Sequence, residues 1–505
     1  MNTESVSIGE IGRVKEVKKS VVKVEGLQGC MLGQLVTFVD GTKGFVMGFN
    51  ENEVLVLLLG ISKNIKAGNE VYSKEESFRI PVGNNFLGRI VSPLGDSLDG
   101  KGHVREDSLA YIFRDAPAVL DREPIDQMLV TGIRIVDSTI PIGMGQRQLI
   151  IGDRMTGKTT IAVDAILNQK STDTICIYCC VGRDYSSFEK VVSTFKEKGS
   201  LDRMIIVAAL ASSSIGEQYL APYAAAAFGE YFMYSGKNVL VAFDDLTKHA
   251  WAYRELSLLL ERPPGREAYP GDIFYLHAQL MERAARLSAK NGGGSMTFLS
   301  IADTLQGDIA GFIPTNLISM TDGQIYLSSL LFGEGFKPAI DVGLSVSRIG
   351  NKVQQKLLRE LTLDLKLTYI QYRELLKTTR LRSGVSEELT SRLKRGEKIE
   401  RVFSQDKNSP STITEQIIIY FALREGILDT LSAAHCEYLK DNILAYIRNN
   451  IPAVTEKIDK GIELTLEDKE ALKARIMNFT RCSWNDRRKS TRQEFFGGSA
   501  GKAAR

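Results

Sequence analysis

One glycine-containing loop restricts the fold of this chain more than any other feature. An apolar run, RQLIIG, leads into residues 152–159, which fit the pattern G-x-x-x-x-G-K-[ST], and apolar residues at helical spacing follow. A strand, such a loop and a helix in this order form one unit of a parallel sheet covered by helices. Apolar strands such as TICIYCCVG and NVLVAFDD alternate with helical text after it. The sequence therefore predicts an α/β core with a phosphate-binding loop.

The loop is expected to hold the phosphates of a nucleotide. Its backbone N–H groups are expected to point at phosphate oxygens, and the N-terminus of the following helix adds a favourable dipole. Lys158 is expected to reach the terminal phosphates, and the Thr159 hydroxyl to bind Mg²⁺. The predicted nucleotide-binding residues in and beside the loop are Gly152, Asp153, Arg154, Met155, Thr156, Gly157, Lys158, Thr159 and Thr160.

A metal-bound nucleotide also needs a carboxylate at the end of a neighbouring strand. The segment NVLVAFDDL supplies Asp244 after a mostly apolar run, and we predict Asp244 in the outer shell of the metal. Asp245 points to the other side of an extended strand. We therefore expect Asp245 to cap a helix or to form an ion pair.

Hydrolysis needs a group that orients or deprotonates the attacking water, usually a carboxylate beyond the end of another strand. After CIYCCVG, where that carboxylate is expected, the chain has Arg183. A guanidinium cannot act as a base. Asp184 follows, and a shifted loop could present it, although a surface salt bridge is its favoured role. The sequence thus predicts nucleotide binding without hydrolysis.

The chain has 505 residues, which is long enough for two to four domains. Short alternating stretches predict a small N-terminal β-barrel over residues 1–85. The P-loop nucleotide-binding α/β domain is predicted over 86–352, and an α-helical bundle over 353–484. Residues 485–505 are polar and basic, and a disordered tail is expected there.

Composition limits the classes of function. The net charge is +3, from 64 basic and 61 acidic residues, so nothing attracts nucleic acid or anionic lipid globally. No apolar run reaches the roughly 20 residues of a membrane-spanning helix, and no secretory signal begins the chain. A cytoplasmic location is expected. The cysteines in TICIYCCVG, which are Cys176, Cys179 and Cys180, are predicted to be buried thiols rather than metal ligands.

Four long strings carry a resemblance to a known family: PIGMGQRQLIIGDRMTGKTT, AYRELSLLLERPPGREAYPGDIFYLHAQLMERAA, IPTNLISMTDGQIYL and VGLSVSRIG. With them, residues 8–480 resemble the alpha subunit of the rotary F-type ATP synthase. The resemblance implies a hexamer that alternates with catalytic beta-type subunits around a gamma-type shaft, at the inner face of the membrane. It implies bound ATP and Mg²⁺ without turnover in alpha, where the family normally has Gln at the position of Arg183.

The resemblance also assigns roles to single residues. Arg348 in LSVSRIG corresponds to an arginine that reaches the beta-type active site in trans; an interface salt bridge is the alternative. Ser319 corresponds to a neighbour of that interface, and Gln405 to a residue beside the adenine. The chain departs from the usual alpha pattern at three positions, namely Met155 in place of Gln, Lys337 in place of Arg and Lys407 in place of Gln.

The termini leave the type of motor open. The segment before the first strand is shorter than the family's helix for docking a peripheral stalk, and the C-terminus extends beyond the usual end. Some wall-less bacteria have duplicated F-type heads that drive surface machinery, and these termini slightly favour such a specialised head over a conventional synthase. Specialised partners at the termini, instead of a peripheral stalk, are then expected.

Two other classes of protein are alternatives. A hexameric helicase of the transcription-terminator kind also joins a small barrel to a P-loop core, and it needs interleaved aromatic and basic residues on the barrel. Phe38, Phe45 and Phe49 are there, among few basic residues. A scaffold without nucleotide is disfavoured by the intact Gly157, Lys158, Thr159 and Asp244. No nucleic-acid partner is predicted.

Overall fold

The computed structural model describes residues 9–50, 52–60, 64–379 and 387–497. Side chains are described for the same ranges, apart from 74–77, 378–379 and 482–497. The N-terminal residues on which the stalk-docking hypothesis depends lie outside the described residues.

The first described strands close into a barrel. Alternate residues point to its interior, where Val22, Val24, Val56 and Val71 form a small separate core. The strand order around the barrel is β1-β2-β5-β4-β3-β6. The bounds are β1 Glu10–Lys18, β2 Val21–Glu25, β3 Gln34–Phe38, β4 Lys43–Phe49, β5 Val54–Leu59 and β6 Glu70–Ser77. The predicted N-terminal barrel is confirmed.

The central region consists of a mostly parallel sheet with helices on both faces. Its strands are β7 Arg79–Val82, β8 Ile90–Val91, β9 Ser108–Tyr111, β10 Met128–Leu129, β11 Ile142–Gly143, β12 Arg147–Gly152, β13 Ile175–Val181, β14 Met204–Ala209, β15 Asn238–Asp244, β16 Ala285–Arg286, β17 Ser295–Asp303, β18 Gly323–Leu327 and β19 Val346–Ser347. Its helices are α1 Arg134–Thr139, α2 Lys158–Asn168, α3 Tyr185–Glu197, α4 Ile215–Tyr234, α5 Leu246–Leu259, α6 Ile273–Met281, α7 Phe312–Met320 and α8 Ser329–Gly333.

The main sheet has the order β19-β18-β12-β17-β15-β13-β14-β8, with β16 beside β17. The other strands of the region form two separate antiparallel pairs, β7 with β9 and β10 with β11. The strands from β18 to β8 are parallel, so their carboxyl ends meet at one edge. The loop after β12 and the residues that follow β13, β15 and β17 therefore lie along the same edge, as ligand sites of such sheets do.

Alternation along β13 explains the three cysteines. Cys176 and Cys180 belong to the core under α2 and α3, whereas Cys179 belongs to the core under α4 and α5. All three are buried free thiols, as predicted. Within the described ranges, no group of His, Cys, Asp and Glu residues is arranged to hold a metal ion.

The C-terminal region is helical, as predicted. Its helices are α9 Lys356–Thr362, α10 Leu365–Thr379, α11 Glu387–Phe403, α12 Ile413–Arg424, α13 Ala433–Asn450, α14 Pro452–Asp459 and α15 Leu466–Gly497. Residues 485–497, for which the composition predicts a disordered tail, continue α15. This segment is polar but has no proline, and its first glycine is Gly497, so the backbone can stay helical until there.

Buried polar groups on α1 join the helical domain to the sheet. The Arg134 guanidinium donates to the Val402 carbonyl at 2.9 Å and to the Ser404 carbonyl at 2.8 Å. The Asp137 carboxylate accepts from the Gln416 amide at 2.7 Å. Both α1 side chains are buried. The short helix thereby fixes the segment after α11 and the start of α12 against the central domain.

Asp137→Asn is expected to weaken this junction. Burial raises the pKa of Asp137 to about 6, so at pH 8 the group is a carboxylate, and its two oxygens accept four hydrogen bonds from Thr131, Gly132 and Gln416. In the variant, the side-chain NH₂ group takes the place of the oxygen that accepts from the Gly132 N–H, so two donors face each other. We expect a loss of about 2 kcal/mol, which lowers Tm by about 4–8 °C at pH 8.

The matched control is Asp173→Asn, because the Asp173 side chain is 99% exposed and pairs only loosely with Arg203 at 3.5 Å. Its Tm is expected to stay within about 1 °C of the unmodified chain, as for surface ion pairs. Equal Tm values for the two variants in thermal unfolding would contradict the role of Asp137.

Candidate functional site

Two glycines give the loop after β12 its path. A Cβ on Gly152 would collide with the carbonyl oxygen of Leu327 in the neighbouring strand β18. Gly157 has a φ of +99°, in the left-handed region that favours glycine. Met155 adopts a φ of +64° without being glycine, and it is 90% exposed at the tip of the loop. The backbone thus turns tightly enough to direct N–H groups outward before α2 begins.

Lys158 is held in place without any phosphate. Its ammonium donates to the carbonyls of Gly152 at 2.9 Å and Asp153 at 2.5 Å. It also lies 3.0 Å from a carboxylate oxygen of Asp303, and the residue is only 6% exposed. The cation is therefore fixed beneath the loop, where a terminal phosphate is expected.

Asp303 is a site residue that the sequence analysis missed. It ends β17 and lies 3.4 Å from Arg154 as well as near Lys158. The signal was present, because SMTFLSIAD is an apolar run that ends in a carboxylate, as NVLVAFDD is. The same argument that selected Asp244 would have selected Asp303.

Asp153 ties the loop to the segment after β17. Its carboxylate accepts from the Thr304 hydroxyl at 2.6 Å and from the Gly307 N–H at 2.7 Å. Burial alone opposes its charge, but these hydrogen bonds lower the pKa of Asp153 below its ordinary value. The Thr156 hydroxyl donates to the Asp153 carbonyl at 2.8 Å. Both predicted loop residues therefore shape the loop.

Asp244 faces the same edge of the sheet and is already paired. Its Oδ2 accepts from the Arg183 guanidinium at 2.5 Å and from the Tyr178 hydroxyl at 2.7 Å. Asp244 is 1% exposed, and burial opposes the charge of Arg183, yet the Asp244 carboxylate raises the pKa of Arg183 above its ordinary value. The two residues form a partly buried ion pair.

The second oxygen of Asp244 bears on the predicted Mg²⁺ site. Oδ1 is buried and has no hydrogen-bond partner among the described residues. A buried acceptor of this kind normally has a partner, and a water molecule of a hydrated Mg²⁺ ion is a suitable donor. Thr159 follows Lys158 at the start of α2, on the same edge. The residues present therefore fit a metal-bound nucleotide.

The other two strand-end carboxylates cap helices. Asp245 accepts from the Lys248 N–H at 2.7 Å at the start of α5, which confirms the predicted cap. Burial, with the charges of Asp303 and Asp244, raises the pKa of Asp245 to about 7. Asp184 accepts from the Ser187 N–H at 2.8 Å at the start of α3. The favoured surface salt bridge of Asp184 is therefore wrong, and the group is an N-cap.

A cavity of about 410 Å³ adjoins the loop, between the central domain and the segment after α11. Apolar groups such as Ile133, Phe332 and Pro338 line it, as do the charged side chains of Lys337 and Lys407. The ammonium of Lys337 lies 5.4 Å from the centre of the Phe332 ring. The cavity also includes Met155, Thr156, Gly157 and Thr160 of the loop, so the base of a nucleotide held by the loop has space here.

Gln405 lines this cavity but is committed to the backbone. Its side-chain carbonyl accepts from the Arg134 N–H at 3.0 Å, and its amide donates to the carbonyls of Gly132 and Ser409 at 2.8 Å. Gln405 thus holds the cavity wall in position. Asp164, another lining residue that the sequence analysis missed, accepts from the Asn408 N–H at 2.8 Å, and burial raises its pKa to about 7.

Arg348 and Ser319 lie together on a different part of the surface. Both are exposed, and the Arg348 guanidinium donates to the Ile318 carbonyl at 3.3 Å. The Arg348 N–H donates to Asp322, directly before β18 begins, whereas the loop adjoins the end of β18 at Leu327. Four residues of strand, about 13 Å, separate these ends. Arg348 therefore lies away from the nucleotide edge of its own sheet.

The barrel aromatics do not form a stacking surface. Phe38 and Phe45 are buried, and Phe49 is 48% exposed. Phe45 stacks on Phe113 of the central region at 5.3 Å, so it serves packing between the domains. Single-stranded nucleic acid needs exposed rings on which bases stack. These three positions do not support the helicase alternative.

Comparisons with known proteins cover almost the whole chain. The ATP synthase alpha/beta family matches with its beta-barrel domain at residues 8–74, its nucleotide-binding domain at 132–347 and its C-terminal domain at 354–479. ATP synthase subunit alpha of Petrotoga mobilis is 45% identical over 480 residues, 94% of this chain and 95% of that relative. The same subunit of Dehalococcoides mccartyi is 42% identical over 475 residues, 94% of each chain.

The order of these domains agrees with the barrel, sheet and helical regions described above. Among the described helices, none is both long and apolar enough to cross a membrane. The resemblance inferred from the sequence is confirmed, and the chain belongs to the ATP synthase alpha/beta family and, within it, to the alpha subunits.

Proposed function

We propose that this chain is a non-catalytic, Mg-ATP-binding alpha-type subunit in the hexameric head of a rotary ATPase. It lends Arg348 to the active site of a beta-type neighbour, and the ring surrounds a gamma-type shaft. The observation that carries the proposal is the combination of a complete phosphate loop with Arg183 where a catalytic base is needed.

The absence of a base follows from what each strand-end carboxylate does. Asp244 pairs with Arg183, and Asp303 pairs with Lys158. Asp245 and Asp184 accept hydrogen bonds from helix N-termini. Each of these four carboxylates is therefore engaged in an ion pair or in a helix cap. The group expected beside the attacking water is the guanidinium of Arg183, which cannot accept a proton. Hydrolysis at this site is expected to be negligible.

Binding has the support of a preformed site. The ammonium of Lys158 and the helix N-terminus are in place for the phosphates, and the adjoining cavity accepts the base. Mg²⁺ neutralises phosphate charge when it is bound, and Thr159 and Asp244 are the residues that would hold it. Lys337 keeps the positive charge of the Arg that it replaces but lacks its planar fork of donors, and Lys407 adds a positive charge where the usual alpha pattern has Gln.

The position of Arg348 supports a role in trans. It lies beside the start of β18, so its own loop is about 13 Å away along the strand, and its guanidinium makes a long hydrogen bond to a carbonyl on an exposed surface. An arginine supplied from a neighbouring subunit stabilises the charge of a phosphoryl-transfer transition state. Ser319 on the same surface is proposed to lie at that interface.

The motor that contains the head is either a conventional synthase or a specialised ATP-driven surface motor. The relatives are named ATP synthase subunit alpha, which supports association with beta-type and gamma-type subunits and a place beside the membrane through partners. Purification of the native complex distinguishes the two. A membrane ring with a peripheral stalk indicates a synthase, and unfamiliar partners indicate the specialised motor.

The isolated chain is expected to bind Mg-ATP and to hydrolyse it negligibly. Lys158→Ala is expected to remove most of the binding, because the terminal phosphate loses its direct cationic partner, worth about tenfold or more in Kd. Calorimetric titration measures binding, and phosphate release measures turnover.

Lys237→Ala is the control for this variant, since Lys237 is exposed directly before β15, at the opposite edge of the sheet. It is expected to bind ATP as the unmodified chain does. Robust hydrolysis by the pure chain, in the absence of any beta-type subunit, would show that the assignment as non-catalytic is mistaken.

Arg348→Ala is expected to lower steady-state ATPase of the assembled ring by on the order of a thousandfold, as when such an arginine is withdrawn. ATP binding to this chain stays unchanged, because the side chain serves the other site. Arg348→Lys restores only part of the rate, since an ammonium lacks the planar fork of donors.

The ring is reconstituted with its beta-type and gamma-type partners, and native mass verifies assembly of each variant. Arg203→Ala is the control, because Arg203 is an exposed arginine whose partner Asp173 is fully solvated. An assembled Arg348→Ala ring with the rate of the control would leave Arg348 as an interface residue only.

A further inference from the structure

We propose that Arg183 is a built-in counter-ion for the metal carboxylate Asp244, so that ATP binding by this subunit depends only weakly on Mg²⁺. The inference deepens the proposed function and rests on it, because it concerns the same nucleotide site. It adds a specific property, a low requirement for the metal, and assigns that property to one residue.

The backbone directs Arg183 to Asp244. Strands β13 and β15 are parallel neighbours, and Cys180 lies opposite Asp244 in their register. After β13 the chain stays attached to the next strand over, because the Gly182 N–H donates to Ala209 at 2.7 Å and the Arg183 carbonyl accepts from Ala211 at 2.9 Å. Arg183 thus begins at a fixed point beside Asp244, and its side chain only has to cross to the neighbouring strand.

Asp244 is in turn fixed toward Arg183. The Tyr178 hydroxyl donates to the same Oδ2 that accepts from Arg183, and both Tyr178 and Asp244 are buried. Rotation of this buried carboxylate would break both hydrogen bonds. The carboxylate therefore presents Oδ1 alone for any further donor, with much of its charge already compensated.

The carboxylates of Asp244 and Asp303 are each paired with a cation without a metal. In strand order, Arg183 pairs with Asp244 at 2.5 Å, and Asp303 pairs with Lys158 at 3.0 Å. A site for Mg²⁺ ordinarily attracts the ion through an uncompensated carboxylate together with the substrate phosphates. Here the guanidinium of Arg183, which does not release its proton, already pairs with the Asp244 carboxylate. The ion therefore gains little from Asp244 when it arrives with ATP.

The test compares the Kd of ATP for the purified chain in excess Mg²⁺ with the Kd in excess EDTA, by isothermal titration calorimetry. Because binding free energies close around a cycle, the ratio of the two Kd values also compares the Mg²⁺ affinity of bound ATP with that of free ATP. For the unmodified chain we expect Mg²⁺ to tighten ATP binding by less than about threefold, and for Arg183→Gln by about tenfold or more, since the freed carboxylate then attracts the ion.

Two further variants separate charge from folding. Arg183→Lys keeps the cation, so its ratio is expected to stay close to that of the unmodified chain. Arg203→Gln removes an exposed arginine far from the site and is the matched control for Arg183→Gln. Thermal unfolding of each variant verifies that it is folded. If Arg183→Gln does not fold, the ratio of Kd values measured for Arg183→Lys tests the inference.

The outcomes distinguish the inference from the proposed function. A ratio of about tenfold or more for the unmodified chain or for Arg183→Lys, or an unchanged ratio for folded Arg183→Gln, overturns the inference alone. A chain that binds ATP in neither condition overturns the proposed function and this inference with it.

Discussion

The site depends on the register of four parallel strands. Gly152 on β12 lies opposite Asp303 on β17, and Asp244 on β15 lies opposite Cys180 on β13. Because side chains alternate between the faces of a sheet, a slip of one residue would exchange the two hydrophobic cores and withdraw these charges from the edge. The two buried cores on either side of the sheet therefore determine which charged side chains lie at its edge. The contribution of the loop to the site depends on this register.

The helical domain completes the site through polar contacts that cross the domain boundary. The Arg134 side chain on α1 binds the end of α11 and the segment after it, and Asp137 binds Gln416 near the start of α12. The Arg134 N–H holds Gln405 at the cavity. The hydrogen bonds of Arg134 and Asp137 offset the cost of burying their charges, whereas Oε1 of Gln416 is buried without a partner among the described residues. Gln405 lies in the segment after α11 and lines the cavity, so the position of the helical domain sets the shape of this wall.

The sequence predicted what depends on local pattern. The loop, the strand that ends at Asp244, the cap formed by Asp245 and the buried cysteines all follow from spacing and alternation. It did not predict what depends on distant segments, such as the junction of α1 with Gln416. In two cases the local sequence held a signal that the sequence analysis does not use. Asp303 ends an apolar run, and Asp184 followed by Ser187 begins a helix where a salt bridge is predicted. Polar composition predicts a disordered tail after 484, and the absence of proline and of glycine before Gly497 permits the helix that α15 forms there.

The sheet separates the two tasks proposed for this subunit. Its carboxyl edge carries the subunit's own nucleotide site, with a charge balance set by Arg183 and Lys158. Beside the beginning of β18, Arg348 faces outward, about 13 Å along the strand from the loop. The non-catalytic role proposed for this subunit fits the separation, because a nucleotide that stays bound would not cycle while the neighbour's site turns over.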